Sequence, residues 1–178
     1  IEFAIAAGSG GKGTIWLDAL TFEELPEPPA TLPTPIASVS AQAPGWPREL
    51  GGSGDLGWTT DAKDESSSLT LDLGFAREFG GLALEWGDGY RPADYEILTS
   101  DDGAQWRSAF SVEGAAGARD WVPMPDSEAR FVRLAIPNPQ RQAFTLNRLR
   151  VLEPAQTATP NDLWSLIAAE SREWLLPA

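Results

Sequence analysis

Leu69–Trp106 reads LTLDLGFAREFGGLALEWGDGYRPADYEILTSDDGAQW. Leu69, Leu71 and Leu73 alternate with Thr70 and Asp72, and after a Gly-bearing turn Leu82, Leu84 and Trp86 alternate with Ala83 and Glu85. Alternation of period two places one set of side chains on one face, which is the pattern of half-buried strands. Working outward, strands are expected near 37–41, 68–74, 80–87, 94–100, 105–112, 119–123, 130–136 and 145–152. In Arg130–Ile136, Val132, Leu134 and Ile136 face one way and Phe131 and Arg133 the other. Short antiparallel strands between turn signals give an all-β fold, an antiparallel β-sandwich.

Composition narrows the function classes. The formal net charge of -13 repels nucleic acid and anionic lipid headgroups, both of which are bound by neutralising phosphates with Lys and Arg. No nucleic-acid or membrane partner is therefore expected. With no Cys there is no disulfide and no thiolate metal site; with no His the commonest general base is missing. The many Asp and Glu are scattered through loops and outward strand positions, with no motif that singles out a catalytic pair. No apolar run approaches the ~20 residues of a membrane span. The chain starts inside what looks like a strand, without a basic leader, and reads as a piece of something longer.

Five segments follow along the chain. Residues 1–25 look like two strands joined at Gly8–Gly13, either the end of a preceding β domain or a hairpin packed on the main one. Residues 26–35 are a Pro-rich linker. Residues 36–153 are the sandwich, and 154–161 a second linker. Residues 162–178 carry a helix over 162–175, capped by Asn161 or Asp162, which leads into a following domain. Its Leu163, Trp164, Ile167 and Trp174 are expected to fold back onto the sandwich or begin that next domain.

Asp72-Leu73-Gly74, Trp86, Tyr95-Glu96-Ile97, Ser100-Asp101-Asp102-Gly103 and Trp106 together resemble the core of the coagulation factor V/VIII type C (discoidin) family. The bacterial galactose-binding-like carbohydrate-binding modules, such as those of family 32, share that pattern. The resemblance implies a jelly-roll sandwich with ligand-binding loops gathered at one end: 43–57, 59–68 and 88–94, with 114–119 and 138–144 near them. The GKGTIWLDALTFE string of the first segment is similar to the closing strands of jelly-roll carbohydrate-binding domains.

A sugar site needs a flat aromatic face for the pyranose C–H patch and planar polar groups for its hydroxyls. Trp46, between Gly45 and Pro47, is either such a platform or a plug beneath its loop. Asp88, Tyr90 and Arg91 bring an acceptor, an aromatic and a bidentate donor together. The resemblance implies that Arg91 contacts the ligand; the competing reading is a local pair with Asp88 or Asp94. Phe144 falls where some members present an aromatic to the sugar, or else begins a core face. Trp58, Trp86 and Trp106 are read as core, and Trp121 as core or rim. Thr59 stands where galactose-binding members carry a His, which weakens the expectation of galactose.

Many members also hold a structural calcium. Here Asp55 is the candidate ligand, Leu56 occupies a Thr position and Arg148 the position of a Glu, unless the alignment slips and Glu153 takes part. Calcium is therefore disfavoured and no cofactor is expected. Arg148 either bonds Asp55 and nearby carbonyls or points to solvent. The leading reading is a non-catalytic carbohydrate-binding module, not an enzyme, that tethers a larger secreted or cell-surface bacterial protein to its oligo- or polysaccharide. Its location is then extracellular, cell-surface or periplasmic. The alternative is a structural domain packing between neighbouring domains without a ligand of its own.

Overall fold

The computed structural model describes Thr21, residues 29–40 and residues 54–170. The chain divides into two compact units, Ile1–Leu32 and Pro33–Ala178. The Gly8–Gly13 hairpin tip, Trp46 and Trp174 lie outside the described residues.

The second unit contains β1 (Ile36–Val39), β2 (Asp55–Thr59), β3 (Ser66–Trp86), β4 (Tyr95–Ser100), β5 (Arg107–Val112), β6 (Arg119–Pro137) and β7 (Thr145–Leu152). All pair antiparallel, in the order β2-β7-β3-β6-β4-β5, with β1 also on β3. β3 and β6 each belong to two half-sheets. Residues 66–72 of β3 pair with 131–137 of β6, and 69–72 also with β1; residues 81–86 pair with β7, and 81–85 also with 119–123 of β6. Register shifts between Asp72 and Arg77 and between Phe79 and Gly81 mark where this ribbon bends. The halves face each other across the core, where the Trp86 and Tyr95 rings lie 5.8 Å apart. The result is the expected antiparallel β-sandwich.

The alternation places the core correctly. Leu69, Leu71, Leu73, Leu82, Leu84, Trp86, Val132, Leu134 and Ile136 are all buried. The strand boundaries differ in three places. The Gly-bearing turn before Leu82 is a bend within one continuous strand, and 119–123 and 130–136 likewise merge into β6. β2 falls on a stretch read as loop, because Leu56 and Trp58 alone carry its inward face and Gly57 sits between them at positive φ.

The motif letters have mechanical reasons. Asp72 accepts the Gly74 N–H at 2.8 Å and two hydrogen bonds from Arg130 at 3.0 Å. Gly74 has φ +88°, and a Cβ there would lie 2.7 Å from Pro33. At Gly81, φ +140°, a Cβ would meet the Val122 carbonyl oxygen at 2.1 Å. Only glycine lets the ribbon turn this closely. In the Ser100–Gly103 turn, Asp102 accepts the N–H groups of Ala104 and Gln105 at 2.8 Å, which holds its carboxyl below the ordinary range.

Two aromatic expectations are corrected. Trp106 is half-buried rather than core: the Arg133 guanidinium stacks 3.7 Å from its ring centre, on the outward face of the first half-sheet. Trp121 is half-buried on the outward face of the second. The described part of the terminal helix, α1, spans Pro160–Glu170 after a 3₁₀ turn at Pro154–Gln156. Its cap is Thr159, not Asn161 or Asp162. Thr159 Oγ1 accepts the Asp162 N–H while Asp162 Oδ2 accepts the Thr159 N–H, a reciprocal box. No α1 residue is buried and Trp164 is 66% exposed, so the expected packing of Trp164 onto the sandwich does not occur.

Leu84→Ala is expected to cost about 2–5 kcal/mol in urea unfolding, through a cavity in a close-packed interior. Phe110→Ala, on the exposed edge strand β5, should change stability by roughly 0.5 kcal/mol or less. A second expectation concerns pH. The hydrogen bonds from Arg130, then that from Gly74, hold the Asp72 carboxyl below its ordinary value. A depressed folded-state pKa contributes stability that is present above the unfolded value, near 3.8, and lost as pH falls through the folded one. Arg130→Ala should therefore be less stable than the parent at pH 7, with the gap closing as melts are taken below that value.

Candidate functional site

Four loops meet at one end of the sandwich. Asn138, buried between β6 and β7, donates through Nδ2 to the Asp64 and Gln142 carbonyls at 3.0 Å, while its backbone N–H bonds Glu65. Arg141 forms an ion pair with Glu65. These bonds tie the 60–65 loop to 138–143. The 87–94 loop joins them through the Gly87 N–H to the Thr145 carbonyl at 2.8 Å and the Tyr90 hydroxyl to Gln140 Oε1 at 2.8 Å. Gly114 donates to Asp94 Oδ1 and Ala115 to the Ala93 carbonyl, which brings in the 113–118 loop. The gathering of these loops follows the sequence expectation; most of the 43–57 loop, Trp46 included, lies outside the described residues.

An aromatic floor supports this end. Phe144 packs edge-on against Trp58 at 5.7 Å and Trp86 at 5.9 Å. At 2% exposure its ring cannot stack on a sugar, so Phe144 is a floor residue rather than a platform. Trp86 Nε1–H and the Tyr95 hydroxyl both donate to Asp120 Oδ2, at 2.7 and 2.9 Å. Burial first, and the Asp120 charge second, push the Tyr95 phenol well above its ordinary value, so it stays a donor. Satisfied polar groups among packed rings make a stiff base.

Above the floor a polar strip runs across three segments. Arg91 Nε–H donates to the Gly87 carbonyl at 3.3 Å, Gly87 bonds Thr145, and the Thr145 and Thr59 hydroxyls are 3.0 Å apart. Asn147 borders Gly87. Asp88, Tyr90 and Arg91 share the 87–94 loop, where Asp88 is exposed, Arg91 half-buried and Tyr90 half-buried against the core. Arg91 makes no ion pair with Asp88 or Asp94 among the described residues, and Asp94 is occupied with Gly114. Thr145 and Asn147 escaped the sequence reading: they become rim residues only through the pairing of β7 with β2 and β3, which no local pattern shows, whereas Gln140 lies in the 138–144 loop already expected nearby.

The calcium position does not suit calcium among the described residues. Asp55 is paired in register with Arg148, and Arg148 Nε–H donates to Asp55 Oδ1 at 2.7 Å. Leu56 is buried, and no group of three acidic side chains is assembled. Of the two readings of Arg148, the bond to Asp55 is the one observed. With the partners 44% and 62% exposed, the pair is worth at most about 1 kcal/mol.

The chain has several similar proteins. No curated protein matches it at the sequence level. CpGH89CBM32-5 from Clostridium perfringens, solved with GalNAc-β-1,3-galactose, shares 19% identity with a TM-score of 0.56, over 66% of this chain and 94% of that one. Chitosan-binding module 2 of a chitosanase/glucanase from Paenibacillus sp. IK-5, solved with chitotriose, gives 20% identity and a TM-score of 0.58, over 67% and 96%. The family 32 module of C. perfringens NanJ, solved with galactose, gives 16% and 0.52, over 66% and 92%. At such identities the likeness is one of fold. The F5/8 type C domain family itself matches residues 35–149, from the approach to β1 almost to the end of β7, and the chain belongs to that family.

Proposed function

We propose that this domain is a non-catalytic module that binds a neutral or cationic glycan at its loop end and holds a larger polysaccharide-active protein on its substrate. The observation that carries the reading is the strip from Arg91 through Gly87 and Thr145 to Thr59, set on a rigid aromatic floor. Arg91 presents a planar donor group without a carboxylate partner among the described residues, and half-buried Tyr90 offers an aromatic beside it. Such a pair matches a sugar's hydroxyls and its apolar face. Similar folds that bind GalNAc-β-1,3-galactose, chitotriose and galactose support the ligand class. Tethering raises the local concentration of an attached domain without new chemistry, and it places the protein outside the cell or at its surface. One observation favours the alternative of an interaction domain between neighbours: Trp164, 66% exposed on α1, is a large apolar side chain without cover among the described residues.

Titration calorimetry with chitotriose and with GalNAc-β-1,3-galactose tests the rim. Arg91→Ala should weaken binding by about 1–3 kcal/mol, as loss of a charged hydrogen-bond donor does, with an unchanged circular dichroism spectrum. Equal binding by the variant would remove the rim from the account. Stability should also ignore calcium. An ion bound only by the folded state raises the melting temperature by mass action, so equal melts in millimolar calcium and in chelator are expected. A calcium-dependent rise would overturn the Arg148–Asp55 assignment.

A further inference from the structure

A hollow of about 390 Å³ opens on the outward face of the half-sheet built from β2, β7, β3 and β6. Its floor is Ala83, whose methyl leaves a gap between two long neighbours: register pairs Ala83 with Trp121 of β6 on one side and Arg150 of β7 on the other. Nearer the loop end, register sets Arg119, Glu85, Arg148 and Asp55 side by side across four strands. Glu85 Oε2 lies 3.4 Å from Arg119 Nε and 3.9 Å from Arg148 Nη1. Three guanidiniums therefore converge on one hollow of a protein whose net charge is -13.

The hollow also holds an occupant from the chain itself. Glu170, at the end of α1, accepts hydrogen bonds from Arg150 Nη2 on both carboxylate oxygens, at 2.6 and 2.8 Å. The Arg150 guanidinium lies 5.7 Å from the Trp121 ring centre. No residue of α1 is fully buried, and Leu163, Leu166 and Ile167 are half-buried, so the helix rests on its surroundings without entering the core. Among the described residues the charges balance with it there: Arg119, Arg148 and Arg150 against Asp55, Glu85 and Glu170. Removing Glu170 leaves one positive charge of that set uncompensated beside an aromatic face. A neutral ligand leaves that charge unmatched, whereas a carboxylate restores the balance.

We propose that this hollow is a second binding site, separate from the loop end, for a saccharide that carries a carboxylate. The pyranose face lies on Trp121, the carboxylate replaces that of Glu170 on Arg150, and Glu85 and Arg119 meet the hydroxyls. Glu170 is the internal occupant that such a ligand displaces, which frees the end of α1 from the sheet.

Calorimetry at low salt on the full chain, with trimers of galacturonate and of mannuronate and with neutral galactotriose as comparator, tests this. At least one acidic trimer should bind more than tenfold tighter than galactotriose. Glu170→Gln, a change on an unburied helix that leaves the fold alone, should tighten binding several-fold. Trp121→Ala should weaken it more than tenfold and Trp121→Phe much less, while Arg91→Ala leaves it unchanged. The proposal fails if neither acidic trimer binds the Glu170→Gln protein, or if Trp121→Ala binds as the parent does. It fails too if Arg91→Ala, rather than Trp121→Ala, abolishes the binding, which would move the acidic ligand to the loop end. Loss of chitotriose binding on Arg91→Ala tests the loop end independently, so the two sites stand or fall apart.

Discussion

Everything in this fold hangs on two strands that must serve two half-sheets at once. A flat seven-stranded sheet with leucines on one face would leave that face in water. By bending β3 and β6 together, the chain lays the Leu69–Leu73 face against the Leu82–Trp86 face and closes a core between them. The bend needs backbone room, supplied where Gly74 and Gly81 take positive φ against Pro33 and Val122. It also needs a hold that survives contact with solvent, and Asp72 provides one by gripping both the Gly74 amide and the Arg130 guanidinium of the partner strand. The Asp-Leu-Gly string is thus clamp, core residue and hinge in three consecutive positions.

This explains which parts of the fold were legible. Inward-facing residues announce themselves by alternation, and every leucine assigned to the core from that signal is buried. Glycine between two alternating runs says only that the backbone departs from the ordinary there. Turn and bend look alike in sequence, because what distinguishes them is whether the partner strand departs in the same place. β2 was illegible for the opposite reason. Leu56 and Trp58 form too short a run, and β2 exists because β7 offers an open edge to it.

Aromatic residues were the harder case. Phe144 and Trp106 each stand just before a strand, and Trp121 in a short polar stretch of one, where periodicity gives little sign of a face. Phe144 went inward because Trp58 and Trp86 leave a ring-sized space at the loop end. Trp106 and Trp121 went outward and collected arginines, Arg133 and Arg150, on their faces. Trp106, with the Arg133 guanidinium 3.7 Å from its ring centre, is shielded without being core, since cation and ring attract while the long side chain covers apolar surface; Arg150 stands farther from Trp121, at 5.7 Å. The place of the loop that carries Asp88, Tyr90 and Arg91 was legible because a turn-rich loop between two strong strands has to lie at one end of them.

The same register logic separates the loop end from the sheet face electrostatically. At the loop end, backbone amides and hydroxyls hold the polar strip, so its geometry owes little to charge. On the sheet face, alternating signs on four neighbouring strands hold the arginines in place, and the acidic partners cancel most of their field. At physiological ionic strength the Debye length is about 8 Å, so the remaining acidic surface reaches the hollow only weakly. A domain with a strongly negative total can therefore keep a local preference for negative charge, provided one of the balancing carboxylates can be exchanged for a ligand's. Glu170 is the one of the three that comes from a helix rather than a strand, so withdrawing it breaks no strand pairing.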